Sequence, residues 1–320
     1  MKKKAFGLST AFLILLTGTR AVSYGAALFV SGQNPRGTRP SAQIARLDSI
    51  PRSVSFREVR GRGLLVTTWI NSAGPFTFAI DTGAGATILS PRVATEAGVS
   101  VREGSGPSIA GLSGAVVSAR DAVIQTLAVG DPQNYLPTKV EVIVTSGLPR
   151  DLDGLLDPND AFGPFGYVID LPRSELSAFD PVRLPLSIHV QPRDGAVVAW
   201  LREGNSHRPF VRLDTGERAL IDTGSSLGFV VRDLAAGAAR TRGSAVHDVG
   251  GSVSSRRAAP RTIAIGSLVL RNIPTDVVSG AAIDAPVMLG LNALRPFRLR
   301  FDPLHRLIEI APVEDSYGHD

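Results

Sequence analysis

The chain has 320 residues, 43% of them hydrophobic and 20% charged, a globular make-up that supports one large core or two and excludes disorder and a multispanning membrane protein. Its 34 basic and 29 acidic residues leave a formal charge of +5, and no dense Lys/Arg block is interleaved with aromatics, so nucleic acid is not an expected partner. The absence of cysteine excludes disulfides, thiolate metal sites, a cysteine nucleophile and a lipoprotein anchor.

Lys2, Lys3 and Lys4 precede an apolar stretch from Ala5 to about Gly18, and small residues follow at Ala21, Ser23 and Ala26. This is the layout of a secretory signal peptide over residues 1–26, with cleavage expected within Ala21–Ala27. The stretch is shorter than the ~20 residues of a membrane span, and Arg20 interrupts it. A periplasmic or secreted protein is therefore expected, with an uncleaved membrane tether as the alternative. Residues 27–60, rich in Pro, Arg and Ser without periodicity, read as an N-terminal extension or short propeptide.

From there on the chain states one pattern twice. Phe76-Thr-Phe-Ala-Ile-Asp81-Thr-Gly lies over Glu217-Arg-Ala-Leu-Ile-Asp222-Thr-Gly, and Thr126-Leu-Ala-Val-Gly130 over Thr262-Ile-Ala-Ile-Gly266. Val142–Gly147 resembles Thr275–Gly280, and Phe165–Asp170 resembles Phe297–Asp302. The separation between partners shrinks along the chain, as it does when loops shorten in a second copy of a fold. Each copy is built of short runs of Val, Ile, Leu and Phe punctuated by Gly, Pro, Asn and Asp, which predicts strands and turns. Few helices are expected, with Val93–Ala97 and Leu234–Ala239 as the best candidates for short ones. The organisation that follows is a lobe over residues 61–180, a connection over 181–200, a second lobe over 201–314 and a tail over 315–320.

A lone Asp-Thr-Gly is a weak signal, because Asp-x-Gly is also good turn chemistry. Here the context is duplicated. Each Asp follows an apolar strand, Phe78–Ile80 or Ala219–Ile221, and small residues follow it, Ala84-Gly85-Ala86 or Ser225-Ser226. Each copy then returns to an apolar run, Ile88-Leu89 or Phe229-Val230-Val231. A third Asp-Thr-Gly, Asp214–Gly216, is flanked by Glu217-Arg218 and reads as a hairpin turn. The five histidines show no zinc spacing, and no G-x-S-x-G elbow is present.

On these residues the sequence resembles the aspartic peptidases that include pepsin and the retroviral proteases. Asp81-Thr-Gly-Ala84 is similar to the retroviral form and Asp222-Thr-Gly-Ser-Ser226 to the pepsin form, while Met288-Leu-Gly290 resembles the family's hydrophobic-hydrophobic-Gly motif. The resemblance implies an all-β fold of two pseudo-symmetric acid-protease β-barrel lobes with a cleft between them. It implies catalysis by Asp81 and Asp222, with loop support from Thr82, Gly83, Thr223, Gly224 and Ser225. Hairpin flaps are implied at Gly111 and Gly114 in the first lobe and at Gly250 and Gly251 in the second, where Gly permits a tight tip. A peptide or protein substrate is implied, with no cofactor, no metal and a monomer as the active unit. A non-catalytic peptide binder on the same duplicated fold is the rival reading. The chain departs from the family pattern at Asp157, which stands where the first hydrophobic-hydrophobic-Gly motif would place Gly, and in having no Tyr at either flap tip.

Overall fold

The computed structural model describes residues 50–103, 106–137, 141–203, 206–232, 244–279, 281 and 287–313, together with two short strands at Ser9–Thr10 and Leu15–Thr17. The protein is all-β, with 52% strand and 6% helix.

Two nine-stranded sheets repeat one topology. In the first, Gly154–Leu156 runs parallel to Ala73–Ile80 and antiparallel to Thr87–Leu89, which in turn runs parallel to Glu141–Val144. In the second, Val287–Leu289 runs parallel to Arg218–Ile221 and antiparallel to Phe229–Arg232, which runs parallel to Leu268–Ser279. The strands that lead into the two aspartates are covered on both faces, which explains their unbroken apolar sequence. Phe76, Phe78 and Ile80 enter the main core, while Ala79 packs with Ile88 and Leu155 in a separate cluster on the opposite face.

A six-stranded sheet joins the lobes, in the order Ala196–Ala199, Leu307–Pro312, Phe297–Asp302, Gly166–Asp170, Glu175–Phe179, Val54–Ser55. Its centre is the antiparallel pair Gly166–Asp170 and Phe297–Asp302, one strand from each repeat. An aromatic cluster sits on it. The rings of Tyr167 and Phe301 stack at 4.5 Å, and Trp200 meets Phe301 edge-on at 5.9 Å.

Three features differ from the sequence expectation. The segment read as an extension up to Arg60 is structured at its end, because Val54–Ser55 pairs with Glu175–Leu176 and Arg57–Val59 pairs with Gly63–Leu65. Its lack of periodicity reflects strands only two and three residues long. The first expected helix spans Pro91–Glu96, capped by the Ser90 hydroxyl, whereas Leu234–Ala239 lies outside the described residues. Short helices at Pro158–Phe162 and Leu291–Leu294 were not expected, and each begins directly behind a strand that flanks an Asp-Thr-Gly loop. Ser9–Thr10 and Leu15–Thr17 lie beside the outer strands Val246–His247 and Ser108–Ala110, so removal of a leader would take both away.

Phe301 is fully buried between the aromatic residues of both halves. Truncation of a buried Phe costs about 3–5 kcal/mol, so Phe301→Ala is expected to lose a stability of that order in urea unfolding. A loss below about 1 kcal/mol would mean that the inter-lobe sheet does not depend on this cluster.

Candidate active site

The loops that follow Ile80 and Ile221 meet at the centre of the molecule. Each begins in the same way: Asp81 donates its N–H to the carbonyl of Leu156, and Asp222 donates to that of Leu289, both at 2.9 Å. The loops then cross-bond. Thr82 Oγ1 donates to the Ile221 carbonyl at 2.7 Å, and Thr223 Oγ1 donates to the Ile80 carbonyl at 3.0 Å. In return each hydroxyl accepts the other threonine's N–H at 3.1 Å. Thr82 and Thr223 are fully buried, so none of these bonds competes with water.

This reciprocal grip sets the two carboxyl groups face to face. Gly83 N–H donates to Asp81 Oδ1 at 2.8 Å and Gly224 N–H to Asp222 Oδ1 at 2.9 Å. The second oxygen of each aspartate, Oδ2, is buried and receives no hydrogen bond from an N–H or hydroxyl group, which leaves each carboxyl facing the other. The approach is close enough to demand glycine: a methyl on Gly224 would lie 2.4 Å from the Asp81 carboxyl carbon. Ser225 is fully buried behind Asp222, and its hydroxyl accepts from Leu227 N–H at 3.3 Å.

Burial is the main influence on both aspartates. It pushes the Asp81 carboxyl well above the ordinary carboxylate range, and the neighbouring charge of Asp222 pushes it further. Asp222 is raised by burial to about 7, against the lowering effect of the Gly224 N–H. Two buried carboxyls in contact cannot both ionise cheaply, so the pair retains a proton well into the neutral range.

The segments read from the sequence as flaps also come together. Ser108–Ala110 pairs with Val116–Ser118, which leaves Gly111 and Gly114 at the tip, joined by the Gly114 N–H to Gly111 carbonyl bond at 3.0 Å. Ser244–His247 pairs with the start of Ser252–Ile265, which leaves Gly250 and Gly251 at the second tip. The tips are fastened to each other: Asp248 accepts from Ser113 N–H at 2.5 Å and from Ser113 Oγ at 3.1 Å. Sequence reading did not single out Ser113 or Asp248, since their meeting depends on two loops far apart in the chain.

Asp214-Thr-Gly216 forms an exposed turn between Ser206–Arg212 and Arg218–Ile221, with Asp214 Oδ1 accepting from Ala264 N–H at 3.2 Å. Sequence reading also passed over Arg208, a buried cation on the strand before that turn whose charge acts on Asp222. Among the described residues, no group of three or more His, Cys, Asp or Glu is placed to hold a metal ion.

Residues 66–156 match the model of an aspartyl protease family. The matched stretch carries Asp81, the first flap and the strand behind the first loop. The second half, which the match does not cover, repeats the strand topology of the first. No curated protein matches the chain.

The sign of the Asp222 shift predicts a pH-dependent stability. A carboxyl raised from 3.8 to about 7 favours the fold while neutral, and that contribution is lost as pH rises from about 4 through about 7. Asp222→Asn removes the ionisable group at nearly constant shape. The variant should melt with the wild type at pH 4 and above it at pH 8. Equal melting temperatures at both values would contradict a buried, neutral-range Asp222.

Proposed function

We propose that the protein is an aspartic endopeptidase, with Asp81 and Asp222 as its catalytic carboxylates. The observation that carries this reading is the buried, cross-bonded pair of Asp-Thr-Gly loops, each contributing one carboxyl group with an oxygen that receives no N–H or hydroxyl bond. The family match over the first lobe points the same way. Such a pair suits one reaction well. The ionised carboxylate takes a proton from a water molecule, and the resulting hydroxide attacks a peptide carbonyl carbon. The protonated carboxyl gives its proton to the carbonyl oxygen. Collapse of the tetrahedral intermediate breaks the C–N bond as the nitrogen gains a proton. No cofactor is required. Both half-sites come from one chain, so the active unit is a monomer.

The substrate is proposed to be an extended peptide held beneath the flaps by β-type backbone hydrogen bonds. For such a peptide to enter, the Ser113–Asp248 fastening between the tips has to open.

Asp81→Asn and Asp222→Asn are each expected to reduce cleavage of a peptide library by at least ~10³-fold while the fold is retained, because an amide cannot share the proton. Asp214→Asn, in the exposed turn, should keep wild-type activity and lose well under ~1 kcal/mol of stability. Activity surviving in either of the first two variants would remove the catalytic assignment. A wild type that binds peptides tightly without cleaving them would favour the binding-protein reading.

Export is proposed from the layout of residues 1–26. Amino-terminal sequencing of the protein recovered outside the cytoplasm should begin within or just after Ala21–Ala27. An intact Met1 on membrane-bound material would favour a tether.

A further inference from the structure

The two halves of the site are not equivalent. At two matched positions, one lobe has glycine and the other a buried ionisable side chain.

The first position lies behind the catalytic loops. In the second lobe, Gly290 follows Leu289, its N–H donates to the Gly228 carbonyl at 2.9 Å, and Leu291 N–H donates to the Ser225 carbonyl at 2.8 Å. A methyl on Gly290 would point at the loop, 2.7 Å from the Ser225 carbonyl oxygen and 2.9 Å from its hydroxyl. In the first lobe the corresponding residue is Asp157, which follows Leu156 and donates its N–H to Thr87 Oγ1 at 3.2 Å. The next residue is Pro158, which has no N–H to give, so the bond that Leu291 makes to its loop has no counterpart here. The smaller Ala84 stands where the second loop has Ser225. A carboxyl group thus occupies the place behind the first loop that glycine occupies behind the second.

Asp157 is fully buried. Its Oδ1 accepts from Asn159 N–H at 3.0 Å and from the Asn159 side chain at 2.9 Å, while its Oδ2 has no partner. Burial holds its carboxyl well above the ordinary range, helped by the charge of Asp160 and opposed by that of Arg208. Tyr167, whose hydroxyl donates to Asn159 Oδ1 at 2.7 Å, completes its polar surroundings. The charge of Asp157 acts on Asp81 and raises its proton affinity.

The second position lies on the neighbouring strands. The first hairpin's pairing ends at Leu64–Ile80, and continuing its register one residue brings Gly63 to the level of Asp81. The second hairpin's pairing ends at Phe210–Leu220, and continuing its register two residues brings Arg208 to the level of Asp222. Arg208 is buried, with Nε on Ser206 Oγ at 3.1 Å, Nη2 on Glu203 at 2.5 Å and Nη1 without a partner. Its charge lowers the proton affinity of Asp222.

We propose that Asp157 and Arg208 are positioning residues that break the symmetry of the pair, so that Asp81 holds the shared proton and Asp222 is the ionised base that deprotonates the attacking water. The assignment rests on the peptidase reading for its chemical meaning, but the charge asymmetry is a property of the resting protein. It gives the two lobes fixed roles: Asp81 protonates the carbonyl oxygen, and Asp222 takes the proton from water.

The test is a pH titration of aspartate carboxyl ¹³C resonances in the full chain, with Asp81 and Asp222 assigned by their loss in Asp81→Asn and Asp222→Asn. In the wild type, the Asp81 signal should titrate at the higher pH. Asp157→Asn, which preserves the acceptor for Asn159, should lower the Asp81 midpoint by about one unit or more. Arg208→Gln should raise the Asp222 midpoint, and this arm decides the matter if Asp157→Asn does not fold. An Asp222 signal that titrates above Asp81, or midpoints unmoved in the folded variants, would overturn the proposal. The titration needs no substrate. A chain without peptidase activity would therefore defeat the proposed function and leave this result readable. In an active chain, the alkaline limb of kcat/KM should move to lower pH in Asp157→Asn.

Discussion

The molecule is organised around four hydrogen bonds between Thr82 and Thr223 and the backbone on either side of them. Each threonine reaches across to the carbonyl of the residue before the other lobe's aspartate, so neither loop has a satisfied conformation without its counterpart. Removal of one hydroxyl would leave a buried carbonyl and a buried N–H unpaired, a cost larger than that of the bond itself. The grip explains why both loops are so strictly small. Bulk at Gly83 or Gly224 would separate the carboxyls that the threonines draw together.

Holding two carboxyl groups in a dry site is unfavourable, and the surroundings oppose the cost only in part. Each aspartate receives one short N–H bond on its inner oxygen, while its other oxygen receives no N–H or hydroxyl bond. That unsatisfied capacity is useful only if something polar arrives to use it, and a water between an amide and the pair fits that need. The residual strain is distributed unequally. A carboxylate behind one loop and a guanidinium beside the other turn a duplicated scaffold into a pair with different members.

Much of this was legible in the sequence. The two strand–Asp-Thr-Gly units announce themselves by composition alone, because a strand buried on both faces must be apolar and the loop after it must be small. The turn at Asp214 was legible for the opposite reason, since Glu217 and Arg218 cannot occupy a crowded interior. The helices at Pro158–Phe162 and Leu291–Leu294 were not legible, because elements this short have no periodicity to read. Asp157 stood out as a break in the motif, yet its burial and its unpartnered oxygen depend on tertiary packing. Arg208 and the Ser113–Asp248 fastening were missed for a related reason: each acquires its meaning from a residue in another segment of the chain.

The six-stranded sheet also governs how the protein must assemble. One edge strand, Val54–Ser55, waits for Glu175–Leu176, and the other, Ala196–Ala199, waits for Leu307–Ile310. Its central pair joins Tyr167–Asp170 to Arg298–Phe301. Chain closure over such spans costs entropy before any contact rewards it, which favours slow folding. The first half emerging from synthesis holds Asp81 and its flap but has no partner for Thr82. The paired arrangement of the two loops therefore exists only once the last strands are made and folding is complete.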